Sequence, residues 1–73
     1  MLQILGGMIM TREEAIAYML STHRPITHRL FGNGEFVQYD GMDLTDESNT
    51  YLPYDEFWYI RSGGVWEDGW FKV

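Results

Sequence analysis

No cysteine occurs anywhere in this chain of 73 residues. A fold of this size buries only about 60% of the surface that its unfolded chain exposes. Disulfides are the usual staple for so small a domain, and here none can form, nor can a thiolate hold a metal or act as a nucleophile. Stability must therefore come from dense packing or from oligomerisation. The raw material for packing is present: three Trp, five Tyr and four Phe, within a chain that is 45% hydrophobic. Such a composition excludes a disordered tail. Every aromatic except Tyr18 lies at or beyond Phe31.

Charge narrows the partners. Eleven acidic residues against five basic ones give a net charge of −6. Nucleic acids and anionic membrane surfaces are gripped by clustered Lys and Arg, so neither is expected as a partner. The opening Met1-Leu2-Gln3-Ile4-Leu5-Gly6-Gly7-Met8-Ile9-Met10 has no positive side chain before Arg12 and is broken by Gly6-Gly7. It does not match a secretory signal and falls far short of the ~20 apolar residues of a membrane span. A cytosolic location is expected. Met8 and Met10 are alternative starts, so residues 1–9 read either as a translational extension or as an added strand or subunit contact. Residues 10–73 read as a single domain.

Thr11-Arg12-Glu13-Glu14 is a capping box. Ala15, Ile16, Met19 and Leu20 then recur at helical spacing, with Tyr18 beside them, and Arg24 before Pro25 is pushed out of helical geometry. The pattern predicts one amphipathic helix at about 12–21. The remainder reads as strand and turn. Residues 26–31 and 35–40 predict a hairpin about Gly32-Asn33-Gly34. Residues 42–50 read as loop. Residues 51–56 read as an edge piece, because Pro53 cannot occupy a central strand. Phe57-Trp58-Tyr59-Ile60-Arg61 reads as the strongest strand, and 65–73 as a closing strand bulged at Gly69. The expected fold is α+β: one N-terminal helix on an antiparallel sheet of about four strands, assembled into an oligomer.

Basic side chains gather at His23-Arg24-Pro25-Ile26-Thr27-His28-Arg29, with residues 1–34 summing to +1 and residues 35–73 to −7. Guanidinium forks match phosphate oxygens, so the cluster is a candidate phosphate site; alternatively, Arg24 and Arg29 pair with acids of the second half. His28 alternates with Ile26 and Leu30 and reads first as a core or interface histidine. Along 57–61, alternation puts Trp58 and Ile60 on one face and Phe57, Tyr59 and Arg61 on the other. Aromatics beside a cation suit a stacked base next to a phosphate, and they suit a subunit interface as well. Metal-ligand spacing, nucleophile signatures and nucleotide-binding glycine loops are all absent from the sequence. The acidic dipeptides Asp46-Glu47, Asp55-Glu56 and Glu67-Asp68 are poor acid–base pairs, because strand neighbours point to opposite faces. The chain is not expected to be an enzyme, and no cofactor or metal is expected.

Met10-Thr11-Arg12-Glu13-Glu14-Ala15-Ile16, then Ile26 to Phe36, then the terminal Glu67-Asp68-Gly69-Trp70 resemble small phage and prophage proteins of the second family of Thoeris anti-defence proteins. His28 stands where that family carries an arginine, with Arg29 one position on; Phe31 stands where it carries a tryptophan; and the middle segment is shortened to about 41–56. The resemblance implies a phage-encoded homo-oligomer, dimer or tetramer, in the cytoplasm of the infected bacterial host. It implies a sponge that sequesters a nucleotide immune signal of the ADP-ribose type without cleaving it. On that reading Arg24, His28 and Arg29 meet phosphate, Phe31, Trp58 and Trp66 stack on a base or line the pocket, and Asp68 accepts from ribose hydroxyls. The alternative is a protein-binding inhibitor of a host defence complex, as in an anti-CRISPR relative of the family, with the acid-rich half occupying a basic groove.

Overall fold

In the computed structural model, which describes residues 9–73, the cap at Thr11 closes as the sequence requires. The Thr11 hydroxyl accepts from the Glu14 amide at 3.1 Å, and the Glu14 carboxylate accepts from the Thr11 amide at 2.9 Å. Helix α1 then runs Arg12–Thr22 with Glu13 and Glu14 in its first turn, where carboxylates favour the positive end of the helix dipole. It ends at His23, a non-glycine residue in the left-handed region (φ 58°), whose N–H returns to the Met19 carbonyl at 2.8 Å. Ala15 and Met19 are fully buried and Ile16 and Tyr18 pack beside them. Leu20, expected on the same stripe, is exposed, so the apolar face is narrower than the periodicity implied.

Among the described residues the sheet has six strands: β1 (Ile9–Met10), β2 (Ile26–His28), β3 (Val37–Tyr39), β4 (Leu44–Asp46), β5 (Tyr51–Leu52) and β6 (Trp70–Lys72). Their spatial order is β1-β6-β2-β3-β4-β5, with every neighbouring pair antiparallel. Directly paired residues share a face. The rows Met10–Trp70–His28, Ile26–Val37 and Tyr39–Leu44–Leu52 therefore lie on one side, and that side carries the buried Met10, Ile26, His28, Val37, Leu44 and Trp70. Ile9, Thr27, Gln38, Thr45, Tyr51 and Phe71 alternate onto the other, more open face. Ala15 and Met19 of α1, together with Phe57 and Trp58, complete the core over the buried face.

The architecture is α+β, as expected, but the count differs. Four strands become six, α1 follows a strand, and a second helix is present. Residues 57–59 of the segment expected to be the strongest strand, together with residues 54–56 of the expected edge piece, form helix α2 (Tyr54–Tyr59), and Ile60 and Arg61 lie beyond its end. Pro53 (φ −59°) sets up its first turn and Asp55 and Glu56 favour its N-terminus. Tyr54, Phe57, Trp58 and Arg61 fall at i, i+3, i+4 and i+7, the spacing of a helix face. The two-face alternation assigned to 57–61 is therefore overturned: Phe57 and Trp58 are both buried, and Tyr59 and Ile60 are both exposed.

The expected loop at 42–50 contains β4. Asp46 Oδ1 accepts from the Ser48 and Thr50 amides, both at 2.9 Å, and Asn49 adopts φ 64°, so β4 turns tightly into β5. Asp40 organises the preceding turn. One oxygen accepts from the Met42 and Asp43 amides, and the other accepts from the Tyr51 hydroxyl at 2.9 Å. These bonds hold its carboxyl below its ordinary value. In the closing segment a 3₁₀ turn at Gly64–Glu67 precedes β6. The hairpin of β2 and β3 forms as read, with shorter strands and a longer connection. The N-terminal extension assigned to 1–9 lies, apart from Ile9, outside the described residues.

Arg12 ties the two helices together. Its Nε donates to the Arg61 carbonyl at 2.7 Å and its Nη2 donates to the Trp58 carbonyl at 2.8 Å, while its guanidinium lies 5.2 Å from the Trp58 ring centroid. The Trp58 carbonyl lies in the last turn of α2, where it also accepts from the Arg61 amide at 3.2 Å, and the Arg61 carbonyl lies just beyond the helix end. Among the described residues no helix is long and apolar enough to cross a membrane.

Replacing Arg12 by Met keeps the apolar stem and removes both bonds. Charge-assisted bonds contribute ~1.5–3 kcal/mol each, reduced here by partial exposure, so the variant should unfold about 2–3 kcal/mol more easily. Urea denaturation followed by circular dichroism checks this; a loss of less than about 0.5 kcal/mol, the scatter of neutral surface substitutions, would contradict the latch.

Candidate functional site

Trp70 sits at the centre of an aromatic cluster. Its ring lies 4.6 Å from His28, 5.7 Å from Phe31, 5.0 Å from Trp58 and 5.9 Å from Trp66, centroid to centroid. Its indole N–H donates to the Trp66 carbonyl at 2.8 Å, which satisfies the one polar atom of a fully buried side chain. His28 is buried beside it. Nε2 lies 2.7 Å from the Asp68 carbonyl and 3.2 Å from that of Val65, and Nδ1 accepts from the Leu30 amide at 3.1 Å. Those partners define the tautomer with the proton on Nε2, and they engage both ring nitrogens with backbone.

Gly69 makes the close approach possible. It adopts φ 84°, and a Cβ there would stand 2.5 Å from Arg29 Nη1 and 3.2 Å from His28 Nε2. The Arg29 amide donates to the Gly69 carbonyl at 3.0 Å, and the Arg29 guanidinium reaches Asp68 at 3.1 Å across the surface. His28, Arg29, Phe31, Trp66 and Asp68 are therefore brought together as one patch. Trp58 lies within the core on another side of Trp70, between Phe57 and Arg12, with its indole N–H finding no acceptor among the described residues. Arg24 is exposed between α1 and β2 and stands apart from the cluster. Of the two readings open for Arg29, pairing with an acid of the second half is the one observed.

The feature that the sequence reading did not assign as a site lies along α2. An open depression of about 490 Å³ is lined by Leu52, Pro53, Glu56, Phe57, Ile60 and Arg61. A smaller one of about 130 Å³ adjoins it, shares Leu52, Phe57 and Arg61, and is walled by Phe31, Glu35, Asp46 and Glu47. Arg61 stands where the two meet. Its guanidinium carbon lies 4.1 Å from the Phe57 ring centroid, 5.5 Å from Trp66 and 5.8 Å from Phe31. Partial burial pulls its pKa below the ordinary arginine value, and the charge of Glu35 pulls the other way. Helical spacing of Phe57 and Arg61 was the available signal for this placement; reading the segment as a strand hid it. Comparison with protein-family models, with curated proteins and with solved structures found no match.

Gly69→Ala should destabilise the fold by about 2 kcal/mol, because it forces a side chain into a positive φ and against the buried His28 ring, while the exposed end of Arg29 can move aside. Thermal or urea unfolding measures the loss. A variant as stable as the parent would show that the close approach at Gly69 is not required.

Proposed function

We propose that this chain is a non-catalytic binding protein that sequesters a nucleotide immune signal of the ADP-ribose type. In this reading it is phage-encoded and acts as a homo-oligomer in the cytoplasm of the infected bacterial host, in the manner of the second family of Thoeris anti-defence proteins that its sequence resembles. The observation that carries the reading is the placement of Arg61, which lines the depression along α2 and lies 5.8 Å from the Phe31 ring centroid and 5.5 Å from that of Trp66. That depression has the size of a small-molecule site, for which ~300–1,000 Å³ is typical. It combines flat apolar walls for a base with a cation for a phosphate. Glu56 in its lining and Glu35 of the adjoining smaller depression are carboxylate acceptors suited to ribose hydroxyls. No hydrolytic step is assigned to any residue.

Mixing purified protein in molar excess with ADP-ribose derivatives, including cyclic ones, and measuring the free molecule by chromatography tests the proposal. Depletion of at least one derivative is expected, with unaltered ligand recovered after heat denaturation of the protein. Absence of depletion, or recovery of a cleaved product, would overturn it.

A second reading has its own observation. Residues 35–73 sum to −7, and Glu35, Asp46, Glu47 and Glu56 rim the paired depressions, as suits an inhibitor that occupies a basic groove of a host defence complex. Its complex would weaken steeply with added salt.

A further inference from the structure

We infer that Arg61 is the anion-gripping residue of the site, and that the depression beside it seats a flat aromatic ring whose phosphate the guanidinium meets: a nucleoside monophosphate unit. The inference rests on the sequestration reading and names the side chain and ligand portion on which that reading turns.

Each other cation is committed elsewhere or lies away from a recess. Arg12 donates to the carbonyls that end α2. Arg29 is paired with Asp68 at 3.1 Å. The Lys72 ammonium sits 4.8 Å from the Tyr18 ring centroid. Arg24 is exposed between α1 and β2 and lines neither depression. Arg61 lines both.

Its hydrogen bonding is incomplete. Nε is covered and has no acceptor among the described residues, and Nη1 makes a long contact of 3.4 Å to the Phe57 carbonyl. A guanidinium drawn partly out of water and short of acceptors is costly to hold, and an arriving oxyanion offsets that cost. The terminal nitrogens remain to form the planar fork that phosphate oxygens match. Phe57 underlies the guanidinium at 4.1 Å and fixes its plane by cation–π contact. Leu52, Pro53 and Ile60 supply the apolar floor on which a base can lie. Glu35 is the acid whose charge acts on Arg61. Its Oε1 accepts from the Gly32 amide, and it competes with an incoming phosphate for the same cation.

Calorimetric titration of the full chain with AMP, adenosine and inorganic phosphate tests the inference, with Arg61→Gln and Glu35→Gln beside the parent. Circular dichroism of each variant verifies folding. AMP is expected to bind about tenfold more tightly than adenosine, the worth of one charge-assisted contact. Arg61→Gln should bring AMP down to the affinity of adenosine. Glu35→Gln, which leaves Arg61 in place and keeps an acceptor for Gly32, should strengthen AMP binding by about threefold through loss of a competing charge. Equal binding of AMP and adenosine, or AMP binding indifferent to Arg61→Gln, overturns the inference and leaves the sequestration reading standing. Depletion of an ADP-ribose derivative with no binding of AMP does the same, by placing the anion seat elsewhere. Failure of every nucleotide to bind overturns both. Should Arg61→Gln fail to fold, a Glu35→Gln variant with unchanged AMP affinity overturns the inference on its own.

Discussion

Burial of Trp70 is the interaction on which the rest of the molecule depends. A chain without disulfides must draw its stability from packing, and an indole removes more apolar surface from water than any other side chain. The register places Trp70 on β6 between Met10 of β1 and His28 of β2. From there its ring meets Trp58 of the second helix and both Trp66 and Phe31 of the loops. Its indole N–H fixes the 3₁₀ turn through the Trp66 carbonyl. One side chain thus touches the sheet, α2 and both loops that border the candidate site.

The recess beside Arg61 is a consequence of how α2 is held. Pro53 and the acids after it set where the helix starts, Phe57 and Trp58 pin its inner face, and Arg12 closes its end from the first turn of α1. With both ends of the helix fixed, Arg61, two residues beyond its end, lies beside the rings of Phe57, Trp66 and Phe31. The guanidinium that lies beside these rings also lines both depressions.

Local chemistry was legible in the sequence where a residue acts on its neighbours. The Thr11–Glu14 cap, the helix stop before Pro25, the pairing of β2 with β3, and the edge position of residues 51–52 all follow from interactions within a few residues. The second helix was misread because Phe, Trp, Tyr and Ile in succession have strong strand propensity, and that preference was weighed above the helical spacing of Tyr54, Phe57, Trp58 and Arg61. Strand β4 was hidden by polar composition; it pairs because Asp46 and Asp40 organise turns on either side of it. In the site, the meeting of Phe31 with Trp66 and of Arg29 with Asp68 depends on contacts between the two halves of the chain that no local pattern encodes. The same holds for the Arg12 latch, which joins residues 49 positions apart.

The central claim is that α2 is a helix carrying Arg61 into an aromatic cage that receives a nucleotide. Heteronuclear NMR of the labelled chain tests it most directly, through the α-carbon shifts of residues 54–59 and the Arg61 Nε–H resonance before and after addition of AMP. The account predicts helical shifts, an Nε–H signal displaced by ring currents from Phe57, Phe31 and Trp66, and movement of that signal on titration. Extended-strand shifts, or an Arg61 side chain resonating as in a solvated peptide and indifferent to AMP, would contradict it.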